Sequence, residues 1–313
     1  TALGGSVGFT GAAKMVNMMR IARMAKAPII GLIDTSGGRL QEGSGSFSQQ
    51  MTETIKASGV VPQISAIMGS CAGAGVYIPA LTDFIIMVEG ISQMFITGPL
   101  TIRQVTGEEI TMEELGGAKA QSEISGVCDL VAKNDEDCIE VIKKTLSFLP
   151  SSYLEKPPWL DTGDDPNRRD ESLLDILPEN PRRPFDMHEI IRSVADNGDF
   201  FEIKPGFAKN MITGFVRLGG YSAGIVANNP MFSAGAIDCD ASDKAGRFFR
   251  TCDCYNVPII TFVDVPGYMP GVKEEYKGII RHGAKMLFGY AEATVPKICL
   301  VIRKAYGGSY TAM

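Results

Sequence analysis

Ala27-Pro28-Ile29-Ile30-Gly31-Leu32-Ile33-Asp34-Thr35-Ser36-Gly37 and, 230 residues later, Val257-Pro258-Ile259-Ile260-Thr261-Phe262-Val263-Asp264-Val265-Pro266-Gly267 overlie one another without a gap. Each is a short continuous apolar run that opens after a proline and closes on an aspartate and a glycine, the pattern of a strand buried on both faces. The same shift carries Lys14 onto Lys244 and Arg20 onto Arg250. A shift of 234 carries Val61-Pro62 onto Val295-Pro296, Ile64 onto Ile298 and Gly73 onto Gly307, so one insertion of four residues separates the registers. Unrelated buried strands share Val and Ile. They do not share Pro, Asp and Gly in step with flanking Lys and Arg, and the chain reads as a duplication.

Outward from these strands the rhythm is strand, glycine-rich turn, helix. Val61 to Met68 reads as a second strand, and Phe47 to Ser58 between the two has a helical mixture of polar and apolar residues. Parallel strands joined by crossover helices follow, an α/β architecture. Residues 154–183, dense in Pro, Asp, Arg and Asn, break the rhythm and read as a linker. The expected domains are residues 1–153 and 184–313. The chain starts at Thr1 inside a glycine-rich segment and stops at Met313 where a helix begins, so a fragment truncated at its C-terminus is expected.

Of the 313 residues 45% are hydrophobic and 21% charged, with a net charge of −6, a globular composition without the basic runs of a nucleic-acid binder. The 7 cysteines are scattered and odd in number, as in a reduced compartment, and the lone Cys252-x-Cys254 has no second pair at zinc spacing. No metal is expected. No apolar run nears the roughly 20 residues of a membrane span. A cytoplasmic location is expected, or the mitochondrial matrix in a eukaryote.

The only histidines are His188 and His282, neither beside a nucleophile motif, and both read as structural or surface residues. That leaves the glycine turns. Gly69-Ser70-Cys71-Ala72-Gly73-Ala74-Gly75 follows one strand, and Ala305-Tyr306-Gly307-Gly308-Ser309-Tyr310 follows its copy. At a strand-to-helix junction the first N–H groups lack intrahelical partners and the helix dipole adds positive potential. Small residues let a ligand oxygen come close. An enolate oxygen is what such a site stabilises best. Tight helix–sheet packing alone would also explain a single run, but two copies at equivalent places favour paired oxyanion sites. In a third run, Asp34 to Gly43, Arg39 could meet an anion or pair with Glu42. Thr97-Gly98-Pro99 and Glu114 to Ala118 frame a loop of open role.

"SGGRLQEG" (36–43), "GSCAGAGVYIPALTDF" (69–84), "TGEEITMEELGGA" (106–118), "RFFRTCDCYNVPIITFVDVPGYMPG" (247–271) and "AEATVPKICLVIRKAYGGSYTAM" (291–313) resemble the carboxyltransferase β subunits of propionyl-CoA carboxylase. They are also similar to methylmalonyl-CoA decarboxylase and transcarboxylase subunits. The resemblance runs through the whole chain. It implies two crotonase-like domains of ββα-superhelical type, with acyl-CoA at the first and carboxybiotin, carried by a biotin carboxylase or carboxyl-carrier partner, at the second. It further implies a site completed across a dimer interface within a homo-hexamer. The family's first oxyanion hole falls on the N–H groups of Gly73 and Ala74, where Ala74 stands for the usual Gly. The second falls on Gly308 and Ser309, with Gly307 beside them on the carboxybiotin side and Ser309 in place of the commoner Ala. The implied reaction is carboxyl transfer to the α-carbon of a short acyl-CoA through an enolate, propionyl-CoA to methylmalonyl-CoA first, or its reverse in a sodium-pumping methylmalonyl-CoA or glutaconyl-CoA decarboxylase. Thr311 lies in the turn expected to face substrate. A crotonase-type hydratase or isomerase would need a carboxylate just after the turn, where Val76-Tyr77-Ile78-Pro79 stands. A scaffold that only binds acyl-CoA is the remaining alternative.

Overall fold

The computed structural model describes residues 2–42 and 45–313. Gly43, at the end of the third glycine-rich run, lies outside them. The chain divides between Glu155 and Lys156 into two compact units.

In the first unit α1 (Phe9–Ala25) leads to β1 (Ile29–Thr35), α2 (Gly45–Ala57) to β2 (Gln63–Ala72), and a 3-10 turn, Gly73–Val76, into α3 (Tyr77–Ala80). Then come β3 (Phe84–Val88), β4 (Gln93–Phe95), α4 (Pro99–Thr106), α5 (Met112–Gly116), β5 (Leu130–Ala132) and α6 (Asp135–Ser147). The sheet order is β1-β2-β3-β5, every pairing between these strands is parallel, and β4 also pairs with β2 in parallel. The sheet therefore forks: β3 follows β2 over Ile64–Ile67 and β4 takes over at Ser70–Ala72. Ser92 holds the fork, its hydroxyl accepting the Val88 N–H at 2.6 Å and donating to the Ile67 carbonyl. Ile67, Cys71, Val76, Ile85, Met87 and Met94 form the core beneath.

The second unit contains α7 (Leu173–Ile176), α8 (Met187–Val194), β6 (Phe201–Ile203), β7 (Met211–Leu218), β8 (Tyr221–Asn228) and α9 (Cys239–Cys254). They are followed by β9 (Ile259–Val265), α10 (Val272–Lys277), α11 (Ile279–Glu292), β10 (Lys297–Ala305) and α12 (Gly307–Ala312). Its sheet, β10-β9-β8-β7-β6, is mixed rather than parallel throughout. β8, β9 and β10 run parallel, whereas β6-β7-β8 is an antiparallel meander. The cause is local. Gly219-Gly220 joins β7 to β8 with φ of 56° and 81°, the two positive angles a type I′ hairpin requires.

The duplication persists in backbone detail. Left-handed Lys26 (φ 57°) ends α1 as Asn256 (φ 56°) follows α9. Val7 bridges Gly38 in parallel as Ile237 bridges Tyr268, both at the shift of 230 read from the sequence. What covers the two copies differs. Leu32 on β1 is 58% exposed, whereas its counterpart Phe262 on β9 is 2% exposed beneath Phe185, Ile190 and Ile191. Lys14 is exposed; Lys244 is buried and donates to the carbonyls of Lys204 and Phe207, both at 2.8 Å.

Of residues 154–183, expected to link domains, those from Lys156 onward belong to the second unit. The Trp159 indole donates to Gly219 O (2.9 Å), Arg217 to Pro158 O (2.9 Å), and Arg168 to Ala195 O (2.9 Å). Prolines and aspartates leave such a segment without regular structure, so it is tied down by hydrogen bonds to the Gly219-Gly220 hairpin and to the end of α8 instead. No helix among the described residues is long and apolar enough to cross a membrane.

His188 ties α8 to β6. Its Nδ1 lies 2.7 Å from Asp186 Oδ1 and its Nε2 3.0 Å from Glu202 Oε2. The Glu202 hydrogen bond raises the imidazole pKa, burial opposes it, and Asp186 raises it further. A raised folded-state pKa stabilises fully below the unfolded value of about 6.5 and is lost as pH climbs through the folded one. His188→Leu should therefore cost about 1–2 kcal/mol more at pH 5.5 than at pH 9. Thermal melts across that range check it, and a pH-independent difference would contradict the assignment.

Candidate active site

Strand β2 reaches its turn through an irregularity. Ile33 pairs with Ile67, but Thr35 pairs with Cys71, so Asp34 alone stands opposite Met68, Gly69 and Ser70. Two extra residues on one strand form a bulge, which bends the strand and frees its ladder groups. Beyond it Ala72 is extended (φ −128°, ψ 159°) and Gly73 turns left-handed at φ 68°, a conformation that favours glycine. The N–H groups that open the 3-10 turn lack intrahelical acceptors. A Cβ built on Gly73 meets nothing within 4 Å. Ala74 is exposed and keeps a φ outside the positive range, so it presents the same N–H that a glycine would.

The back of this turn is packed. A Cβ on Gly37 (φ 98°) would fall 2.7 Å from the Ala72 carbonyl oxygen, and Gly75 is buried against the Gly37 Cα and the ring of Phe47. Thr35 holds that loop, donating its hydroxyl to Gly5 O at 2.7 Å and accepting the Gly37 N–H at 3.1 Å.

The second turn is built the same way. Val263 pairs with Val301 and Val265 with Ala305, leaving Asp264 opposite Ile302, Arg303 and Lys304. Tyr306 is extended, Gly307 is left-handed at φ 57°, and α12 begins. Open space lies beside both Gly307 and Gly308. The Ser309 hydroxyl turns back to donate to Tyr306 O at 2.7 Å, so its side chain is buried while its N–H stays in the first helical turn. In the internal register Gly73 matches Gly307, Ala74 matches Gly308 and Gly75 matches Ser309. The pairs Gly73/Ala74 and Gly308/Ser309 thus share one equivalent place, Ala74/Gly308.

Side-chain chemistry near the turns is limited. Burial pushes the Cys71 thiol up to about 12, so it is protonated at neutral pH and inert as a nucleophile. Arg39 pairs with Glu42 (2.7 Å) and donates to Ser6 O (3.1 Å), the intramolecular one of its two expected roles. His282 is held by Asp243 at 2.7 Å and His188 by Asp186 and Glu202. Cys252 is buried within α9 and Cys254 half-buried at its end. Gly116 packs so closely on β4 that a Cβ there would lie 2.4 Å from Met94 O, and Thr111 with Glu114 forms the capping box of α5. The 97–118 stretch is thus anchored beside the strand that pairs with Ser70–Ala72. The one feature that sequence reading passed over is the work of Asp34 and Asp264, although both stood out as register marks.

Together these features define a duplicated, crotonase-like α/β protein with a left-handed glycine turn after a bulged strand in each half. The chain belongs to the carboxyl transferase domain family, which it matches over residues 1–313. It is 54% identical to the methylmalonyl-CoA decarboxylase subunit alpha of Veillonella parvula, an alignment covering 100% of this chain and 62% of that one. Identity to the propionyl-CoA carboxylase carboxyltransferase subunit of Haloferax mediterranei is 50%, covering 100% of this chain and 61% of the relative. The solved structure of transcarboxylase 12S, with methylmalonyl-CoA and methylmalonic acid bound, matches with a TM-score of 0.97 at 48% identity, over 99% of this chain and 61% of that one. The chain therefore spans about three fifths of the length of these relatives.

The contrast between the two glycines is testable. Gly37→Ala meets both a forbidden φ and the Ala72 carbonyl and should cost about 3 kcal/mol or more. Gly73→Ala meets only the φ penalty, about 1–2 kcal/mol. Urea unfolding of both variants gives the order, and equal costs would show that the Gly37 contact is not tight.

Proposed function

We propose that this chain is the catalytic region of a biotin-dependent carboxyltransferase subunit. It moves a carboxyl group between carboxybiotin and the α-carbon of a short acyl-CoA, with propionyl-CoA and methylmalonyl-CoA as the pair. The observation that carries this is the presence of two open, left-handed glycine turns at equivalent ends of duplicated bulged strands. The relatives named for methylmalonyl-CoA and propionyl-CoA enzymes support the substrate class.

In this reading the first domain takes the acyl-CoA and the second takes carboxybiotin. The N–H groups of Gly73 and Ala74 would hold the thioester oxygen as the α-proton passes to the biotin ureido group that has released its CO2, so that charge moves onto that oxygen and the α-carbon can take up the CO2. Those of Gly308 and Ser309 would hold the ureido oxygen, and the room beside Gly307 suits a ring brought up to the backbone. Carboxybiotin, delivered on a biotin carboxylase or carboxyl-carrier partner, supplies the carboxyl group. No side-chain base from this chain is required, in keeping with histidines engaged elsewhere. Each donor contributes about 2.7–4 kcal/mol of transition-state stabilisation. The same residues serve the reverse direction, for which the Veillonella relative is named. A hydratase reading finds no carboxylate at Val76–Pro79, three of whose four residues are buried. The working assembly is a cytoplasmic homo-hexamer built from dimers, each site being shared between subunits.

Proline cannot replace Gly73 or Gly307, whose positive φ it cannot adopt. Ala74 and Gly308 lie outside the positive-φ set in the first turn, where proline removes the N–H and little else. In the full-length subunit, Ala74→Pro and Gly308→Pro should each lower methylmalonyl-CoA formation from propionyl-CoA and free carboxybiotin by about a hundredfold or more. Gly308→Ala, which keeps the N–H, should stay within a few-fold. Turnover at the wild-type level in both proline variants would refute the assignment.

A further inference from the structure

Each turn is approached through the same two-residue bulge, and in each copy one carboxylate spans it. Asp34 Oδ1 accepts the N–H of Ser70 at 3.2 Å; Asp264 Oδ1 accepts the N–H of Lys304 at 2.7 Å. Ser70 and Lys304 are equivalent, and each lies three residues before its left-handed glycine. The bulge removes these N–H groups from the regular β1–β2 and β9–β10 ladders, and the aspartate returns a partner to them.

From this geometry we infer that Asp34 and Asp264 are positioning residues for the two oxyanion turns. Each clamps the last bulged residue and so sets the direction in which the following N–H groups point. The inference rests on the reading of those turns as oxyanion sites. Duplication supplies the strongest support. Position 69 is glycine in one copy and position 303 arginine in the other, yet the aspartate and its contact are kept. The surroundings have diverged around it. Asp264 is fully buried and forms a bidentate pair with Arg303 (Nε–Oδ1 3.2 Å, Nη2–Oδ2 2.9 Å), whose guanidinium also lies over the Phe185 ring. Asp34 is exposed, and a Cβ on Gly69 would fall 2.2 Å from its Oδ1, so no side chain fits between them without displacing it. A purely electrostatic role would not call for the same N–H acceptor in such different settings.

Asp34 is the variant to test, since truncating Asp264 strands a largely buried arginine. In the full-length subunit, Asp34→Ala should lower kcat for acyl-CoA carboxylation about tenfold or more, with KM for the acyl-CoA within about twofold, as when a transition-state donor is misaligned. Decarboxylation of free carboxybiotin without acyl-CoA should be unchanged, because that turn is clamped by Asp264. Asp34→Asn keeps an Oδ1 acceptor and should restore kcat to within about threefold. Amide exchange over residues 68–75 should speed up in the alanine variant alone. Wild-type kcat in Asp34→Ala overturns the inference, whatever the exchange shows. So does an asparagine variant as poor as alanine, which would mean that the charge itself acts. Wild-type turnover in Ala74→Pro would instead remove the oxyanion reading and leave the clamp as measured by exchange.

Discussion

A strand that leaves its ladder and becomes a helix within a few residues must find partners for the N–H groups it releases, or leave them facing a ligand. Both halves of this protein meet that constraint in one way. Parallel pairing holds β1 to β2 and β9 to β10 up to Ile33 and Val263, is interrupted by a two-residue bulge on the longer strand, and resumes at Thr35 and Val265. A carboxylate satisfies the last bulged N–H, and the chain turns through a left-handed glycine. The N–H groups that open the helical turn beyond it have no intrahelical acceptor. Under the proposed function, catalytic power would lie in the backbone, where it depends on direction rather than on side-chain identity.

That arrangement explains why side chains around the turns can vary. Ala74 occupies a place where its copy has Gly308, and Ser309 folds its hydroxyl onto its own turn. Neither change alters the N–H groups presented. The constrained positions lie elsewhere: at Gly73 and Gly307 for their φ, and at Gly37 for its approach to the Ala72 carbonyl. The two copies differ most in what lies on their outer faces. The second unit buries Phe262 against Phe185 and α8 and buries Asp264 beside Arg303, while Leu32 and Asp34 are exposed. β10 shows the converse. Ile298 and Leu300 are exposed, whereas their counterparts Ile64 and Ala66 are buried beside β3, and no described strand pairs with the outer edge of β10.

The repeat, the α/β class and the location of both glycine turns were legible in the sequence, because buried strands, prolines and glycines are set by local sterics and leave a linear signature. The offset of four between the two registers appears in the structure as the separate shifts of the α1–β1 and β2 segments onto their copies. Less was visible at residues 201–228. Gly219-Gly220 between apolar runs is a hairpin signal, but the parallel rhythm on either side overrode it. The prolines and aspartates of residues 154–183 suggested a linker, since composition reveals which segments lack regular structure and not what they lie against.

By itself the sequence determined that one unit occurs twice, that each copy carries a strand ending in Asp and Gly, and that each has a small-residue turn after the next strand. Those are properties of neighbours along the chain. Only the tertiary structure decided that Asp34 meets Ser70 and Asp264 meets Lys304, that Ala74 keeps the backbone angle of a donor, and that Arg303 is matched to a buried carboxylate. The reason is that bulges and carboxylate clamps are relations between residues some 36 to 40 positions apart, and their register is set by strand pairing that no local pattern encodes.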